Sequence, residues 1–402
     1  MDSIMLEANE DCTEGGMIFE INSLYAYLER VADPRKRKGV RYHLATILLL
    51  ILLAKMGGED NPTGIAEWVQ HRQASLIEML KLPRQSVPHH CTYRRVLQTL
   101  DPELFEQVMG EYQRSRQPGD REIVISIDGK TLRGTILKGE SRGVHLLAAY
   151  LPDLGLVLMQ VAVGNKENEI VAAPKLLQSI DLKGAIVIGD AMHTQRQISA
   201  QIVAAGGDFI WTVKGNQART EWAIEKLFVN EVVNLKQGAP LSQDFQMAVS
   251  KPSKGHGRIA KRTLLVSQTL NDYLDWPHIA QVYRLEREVW HNHPKGKTRE
   301  IVYGLTSLPP QRTPPRRLLK HIRGYWGIEN GLHYRRDVTL HEDLTRAAVG
   351  HTGHNLAIIN NLIIALSLSN GRKNLAQARR LFDAKPDQAL ALITHPLSLL
   401  CK

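Results

Sequence analysis

Glu122-Ile123-Val124-Ile125-Ser126-Ile127 is an apolar, β-branched run that ends on Asp128. Such a run suits a strand buried on both faces. Downstream, 143–151 and 156–163 give two more strands, joined by the turn Pro152-Asp153-Leu154-Gly155. Residues 169–180 have helical spacing, 185–189 (AIVIG) form a fourth strand, 194–205 a second helix and 209–213 (FIWTV) a fifth strand. The order is β-β-β-α-β-α-β.

Three strands joined by turns, then alternating helices and strands, describe an α/β fold of the ribonuclease-H-like type. In that arrangement the first and fourth strands run side by side and parallel, as a right-handed crossover permits. The first strand ends at Asp128 and the fourth at Asp190. Both carboxylates then stand at the carboxyl ends of neighbouring strands, where open α/β sheets place their sites. An aspartate after a strand is also a common turn former or helix cap, so the pair in this strand order says more than either residue alone.

Outward from this core, 1–20 reads as a loose acidic tail and 21–34 as a short amphipathic helix. Arg35-Lys36-Arg37-Lys38-Gly39-Val40-Arg41 holds five basic residues in seven, which suits a solvated loop or phosphate contact. Residues 42–56, 63–80 and 92–118 read as helices. The apolar run 44–54 (LATILLLILLA) is too short for a bilayer, which needs roughly 20 residues, so it reads as a buried helix. The turn 85–90 before CTYRRVLQTL, with Arg94 and Arg95 early in the second helix, is compatible with a helix-turn-helix. The expected division is a helical, DNA-binding N-terminal domain over 1–118 and a catalytic domain over 119–402. A β-rich insertion is expected at about 215–310, with strands at 258–266, 279–290 and 299–308 and a basic hairpin tip at 291–297. A long helix is expected from 316 to 335, an apolar helix over 354–367, and a small helical tail to 402.

Composition sets outer bounds. In a 402-residue chain, 43% hydrophobic and 23% charged residues support a sizeable core. A net charge of +10 suits a polyanionic partner. Cys12, Cys91 and Cys401 are too scattered for a zinc cluster or a disulfide framework, and the simpler reading is a reducing cytoplasm.

Cleavage of a phosphodiester requires the attacking and leaving oxygens to be stabilised together, which two divalent cations can do. Hard cations take carboxylate oxygens. Asp128 and Asp190 supply two carboxylates. The candidate for a third is Glu329, in Tyr325-Trp326-Gly327-Ile328-Glu329-Asn330, with Asp337, Glu342 and Asp343 as competitors.

Several segments resemble those of one family. They are Ile127-Asp128-Gly129-Lys130-Thr131-Leu132-Arg133-Gly134, Asn168-Glu169-Ile170, Gly189-Asp190-Ala191-Met192-His193-Thr194-Gln195, Val213-Lys214-Gly215-Asn216-Gln217, Gly257-Arg258-Ile259 with Arg262, and the Tyr325–His333 stretch followed by Asp337-Val338 and Glu342-Asp343. In this order, over about 20–380, they resemble DDE-type insertion-sequence transposases of the ISAs subgroup, which includes the H-repeat-associated proteins of Rhs elements. The resemblance implies Asp128, Asp190 and Glu329 as catalytic metal ligands and Mg²⁺, with Mn²⁺ as a substitute. It further implies nicking at element ends, strand transfer by the freed 3′-hydroxyl, terminal inverted repeats and target DNA as partners, a homodimer on DNA, and a bacterial cytoplasm with the nucleoid as the place of action. Two other readings stand beside it: a DNA-binding relative without catalysis, and a structure-specific nuclease of the same fold.

One departure concerns the signature Y-x2-R-x3-E-x6-K of related elements. Counted from Glu329, its Tyr, Arg and Lys positions hold Ile322, Tyr325 and Arg336. Arg323 lies two residues from the Arg position. Candidate DNA contacts are Lys130, Arg133, His193, Lys214, Arg323 and Arg336. Four have a plainer reading: Lys130 and Arg133 as exposed loop residues, His193 as a structural hydrogen bonder, Lys214 with Asn216 as a turn. Tyr325 and Trp326 suit either base stacking or the core.

Overall fold

The computed structural model describes residues 17–117, 122–164, 167–255, 257–291 and 296–395. Most of the acidic tail, the tip of the basic hairpin at 292–295, and 396–402 lie outside them.

Six helices open the chain: α1 (Leu24–Glu29), α2 (Leu44–Met56), α3 (Pro62–His71), α4 (Gln73–Leu80), α5 (His90–Thr99) and α6 (Pro102–Arg114). Every residue of α2 except Thr46 is buried, as a helix apolar on all sides must be. The two long helices expected at 63–80 and 92–118 are each split. The second breaks because Asp101 accepts hydrogen bonds from the Glu103 and Leu104 amides and Pro102 takes the first helical position, which together begin a new helix. The α4–α5 connection spans 81–89, longer than the three or four residues of a helix-turn-helix turn, so that expectation is not met.

The core follows the expected order: β1 (Val124–Thr131), β2 (His145–Leu151), β3 (Leu156–Val163), α7 (Glu169–Gln178), β4 (Ile186–Gly189), α8 (Arg196–Ala204) and β5 (Asp208–Val213). Strand β1 pairs antiparallel with β2 and parallel with β4, and β4 pairs parallel with β5. The pair Ile127↔Gly189 is the last of the β1–β4 register. This is the ribonuclease-H-like strand order.

The insertion holds α9 (Ala218–Lys236) and then β6 (Phe245–Val249), β7 (Ser253–Gly255), β8 (Arg258–Ser267), β9 (Gln281–His291) and β10 (Lys297–Thr306). The expected strands are present, but α9 is not the strand-like stretch the sequence suggested. Its buried residues Thr220, Ala223, Ile224, Phe228 and Glu231 follow helical spacing. Strand β10 pairs antiparallel with β5, so core and insertion form one ten-stranded sheet in the order β3-β2-β1-β4-β5-β10-β9-β8-β6, with β7 on β8.

The chain closes with α10 (Pro315–Tyr325), two π-helical turns at Glu329–His333 and Arg335–Thr339, α11 (Thr352–Ser369), α12 (Leu375–Ala384) and α13 (Pro386–Thr394). Helical winding thus runs through the expected 316–335 and on to Thr339, but with a break at Trp326 and two π-helical turns in place of one regular helix. On one sheet face, Ile127, Val187 and Trp211 pack with residues of α7, α8 and α9. On the other, Leu318 and Leu319 of α10 pack on Ile186, Ile188, Leu264 and Tyr283. Helices α1–α6 share one apolar core with α11–α13 and with Ala148 and Tyr150 of β2. Among the described residues no helix is long and apolar enough to cross a membrane.

Candidate active site

Parallel pairing of β1 with β4 puts Asp128 and Asp190 one residue past the Ile127↔Gly189 pair. Asp190 Oδ1 accepts the Met192 amide at 2.9 Å, capping the tight turn Ala191–His193. That turn is latched from β5 and the loop after it. Asn216 Nδ2 donates to the Ala191 carbonyl at 2.6 Å, Gln217 Nε2 to Thr194 O at 3.0 Å, and Thr194 Oγ1 to Thr212 O at 2.6 Å.

Glu329 opens the first π-helical turn. Insertions of this kind often mark functional sites. His333, one turn on, is buried, and its Nδ1 lies 3.6 Å from Asp128 Oδ2 and 3.9 Å from Glu329 Oε2. One ligand atom from each of Asp128, Glu329 and His333 falls within 4.8 Å of the others. The Asp128 carboxyl is pushed up to about 7, by burial first and then by the charges of Glu169, Glu329 and Asp190. Burial, with Arg336 and Lys130 nearby, pushes His333 down to about 3, so its imidazole is neutral. Trp326 is exposed at the rim, whereas Tyr325 is half-buried against the core.

A fourth carboxylate stands behind Asp128. Glu169, the first residue of α7, lies between two histidines: His145 Nε2 is 2.9 Å from Oε1 and His193 Nε2 is 3.2 Å from Oε2. His145 is held at its other nitrogen by Thr131 Oγ1 at 2.8 Å. Burial alone would raise Glu169, but the two imidazoles outweigh it and hold the carboxyl at about 2. The carboxylate fills the space beside Gly129, where a Cβ would come within 2.2 Å of Oε1. The sequence showed Glu169 in a motif without a role, because its partners lie 24 residues away on either side.

The family model described as "Transposase DDE domain" matches residues 119–365, and one described as "DDE_Tnp_1-associated" matches 25–113. The chain belongs to the DDE transposase family. The Escherichia coli (strain K12) protein named "H repeat-associated putative transposase YhhI" is 28% identical over 368 residues, spanning 90% of this chain and 94% of that protein. The "Putative transposase YncI" of Escherichia coli O157:H7 is 30% identical over 361 residues, 86% and 87% of the two chains. The cryo-EM structure of a piggyBac transposase synaptic complex with hairpin DNA matches at 11% identity and a TM-score of 0.40, over 92% of this chain and 77% of that one.

Within this DDE transposase chain the competing carboxylates are engaged elsewhere. Glu342 receives Arg336 Nε on both oxygens, at 3.0 and 2.8 Å, and Asn360 Nδ2 at 2.9 Å. Lys130 Nζ lies 2.7 Å from Asp337 and 3.0 Å from Asp343. Glu329 alone of the four candidates stands beside Asp128, with its side chain 53% exposed.

The same pairs engage three of the residues expected to contact DNA. Arg336 is 1% exposed in its ion pair, Lys130 is 8% exposed and occupied, and His193 is fully buried on Glu169. Lys130 instead ties β1 to the segment after Glu329. Arg133, Lys214 and Arg323 are exposed.

Proposed function

We propose that the chain cleaves DNA at the ends of an insertion sequence and joins the freed 3′-hydroxyl to target DNA, with Asp128, Asp190 and Glu329 holding divalent cations. The observation that carries this is the convergence of Asp128 with Glu329 and His333 within 4.8 Å, with Asp190 on the adjacent parallel strand. The donor set fits a hard cation. The carboxylates offer oxygens, and Lys130, the nearest lysine in sequence, spends its charge on Asp337 and Asp343. Bound Mg²⁺, or Mn²⁺ in its place, would stabilise attacking and leaving oxygens together.

The chain's own groups set the rest. The latched turn after Asp190 and the Lys130 tie fix the carboxylates on separate elements before substrate arrives, which favours positioning. Neutral His333 orients Asp128 and Glu329 without adding charge. Trp326 offers a stacking face at the rim. Arg133, Lys214 and Arg323 suit the strands on either side of the cut. Residues 1–118 supply a further DNA-binding surface through Arg94, Arg95 and the loop carrying Lys36, Arg37, Lys38 and Arg41, all exposed. Pairing two element ends calls for a homodimer on DNA, and such a substrate places the protein in the cytoplasm on the nucleoid.

The test uses purified protein, DNA carrying the element's terminal inverted repeats, target plasmid and Mg²⁺ or Mn²⁺. The wild type is expected to nick and join. Asp128→Asn, Asp190→Asn and Glu329→Gln are expected to bind the ends and lose cleavage. Binding without cleavage by the wild type would mark a catalytically silent relative. Cleavage without joining would mark a structure-specific nuclease.

A further inference from the structure

Strands β8, β9 and β10 run beyond the carboxyl end of the parallel strands. The β5–β10 register stops at Val213↔Tyr303, while β10 continues back to Lys297, still paired with β9, and β9 with β8 as far as His291↔Arg258. This overhang lies on the side of the sheet where β4 delivers Asp190.

Leu264, Val266, Tyr283 and Leu285 of the overhanging strands face α10. A strand alternates its faces with period two, so Arg258 and Arg262 of β8 and Arg287 of β9 share that face. So, by the same alternation from Val124 and Ile188, do Asp128 and Asp190. Arg323, in the last turn of α10, completes the group, three residues before Trp326 and six before Glu329.

The arrangement is costly for the apo protein. Arg262 sits directly opposite Arg287 in the β8–β9 ladder, and like charges in that position are destabilising. Burial and the charges of Arg323, Arg287 and Arg258 together lower the Arg262 pKa, with Glu300 acting against them. Glu300 is 3.4 Å from Arg287 Nη1, and Arg287 Nε is buried without a partner. Among the described residues no carboxylate pairs with Arg258, Arg262 or Arg323. On the opposite face of the same strands Glu286 takes Arg284 and Arg299, and Glu288 takes Lys297, with Lys261 beside them. Three of the four cations on that face thus have a carboxylate partner, whereas among the described residues only Arg287 has one on the face that carries the active site.

We propose that Arg258, Arg262, Arg287 and Arg323 form a track for the phosphodiester backbone of duplex DNA flanking the cleaved bond. The track rests on the function proposed above, since the same DNA passes from these guanidinium groups to the carboxylates. Planar arginine forks suit phosphate oxygens, and a cross-strand arginine pair can bridge neighbouring phosphates.

The experiment measures binding of fluorescent element-end duplex by anisotropy from 50 to 400 mM NaCl, in Ca²⁺ without Mg²⁺. It compares wild type, Arg262→Gln/Arg287→Gln, and the control Lys226→Gln/Lys236→Gln on exposed α9, which covers the opposite face. Two lost phosphate contacts should flatten the slope of log K against log salt by about 2 and weaken binding roughly ten- to a hundredfold at low salt. The control should keep its slope. The arginine variant should melt no lower than wild type, because repulsion has been relieved. An unchanged slope in a folded arginine variant overturns the track and assigns the face to some other acidic partner, such as a protein. An equal loss in the control reduces it to general charge. Failure of the wild type itself to bind the ends sinks the proposed function instead. Wild-type binding and cleavage with an unchanged arginine slope sinks the track alone.

Discussion

His333 is a neutral, buried side chain against two carboxylates that must stay in register with each other. Replacing it by Ala should lower end cleavage about ten- to a hundredfold, the usual cost of removing an orienting group at a metal site. End binding in Ca²⁺ should hold, as anisotropy would show. Glu169 is a different case. Glu169→Ala leaves His193 buried without its carboxylate, so a loss of about 3–5 kcal/mol in urea unfolding is expected; a loss under about 1 kcal/mol would mean the clamp is structurally idle. A third residue titrates. Glu106 of α6 is buried, its Oε1 accepts the Gln160 amide at 3.0 Å, and Oε2 has no partner. Burial, the dominant effect, raises its carboxyl to about 8. The folded state therefore keeps a proton that the unfolded chain loses above the ordinary value of about 4.5. Stability from this site is full below that value and is lost as pH rises towards 8, by a few kcal/mol at most. Glu106→Gln should raise the Tm at pH 8.5 and leave it nearly unchanged at pH 4.5.

At the scale of elements, β1 to β5 were legible because each is an apolar run bounded by turn residues, and because two of the runs end on aspartate. Helix α9 carried its own signal in the spacing of Ile224, Phe228 and Glu231, masked by the strand-like character of residues 245–306. The roles of Lys130 and Arg336 were not legible, since sequence shows a charge and not the carboxylate that consumes it. Nor was the change to π-helical winding after Trp326. The π-helical turn at Glu329–His333 brings Gly331 against Tyr150, where a Cβ would lie 2.6 Å from the phenolic oxygen. Gly331→Ala should push this turn off β2 and carry Glu329 with it. Cleavage should fall about a hundredfold, as displacements near 1 Å can cost. A Gly331→Ala enzyme with wild-type kcat would mean the close approach does not set the position of Glu329.

On the scale of the whole molecule, a single sheet binds the insertion to the catalytic core, and a single apolar core joins the first six helices to the last three. The Glu20 amide bonds to the Thr394 carbonyl at 2.9 Å, so the two ends of the described chain meet. A fragment covering 1–118 is therefore expected to stay largely unfolded by circular dichroism, although its helices were legible one by one. A cooperative melt of that fragment would show an independent domain after all.

Helix α2, the most apolar segment, leaves the ribosome early, and while its neighbours α1 and α3 cover part of it, its other packing partners α11 to α13 are encoded some 300 residues later. At about 5–20 residues per second, the rest of its oily surface waits roughly 15–60 s for cover. A chain interrupted before α11 would carry every carboxylate of the centre but no lid for that surface, and would be sticky rather than active. Only finished chains would then reach DNA, and the nascent protein would be a standing client for chaperones.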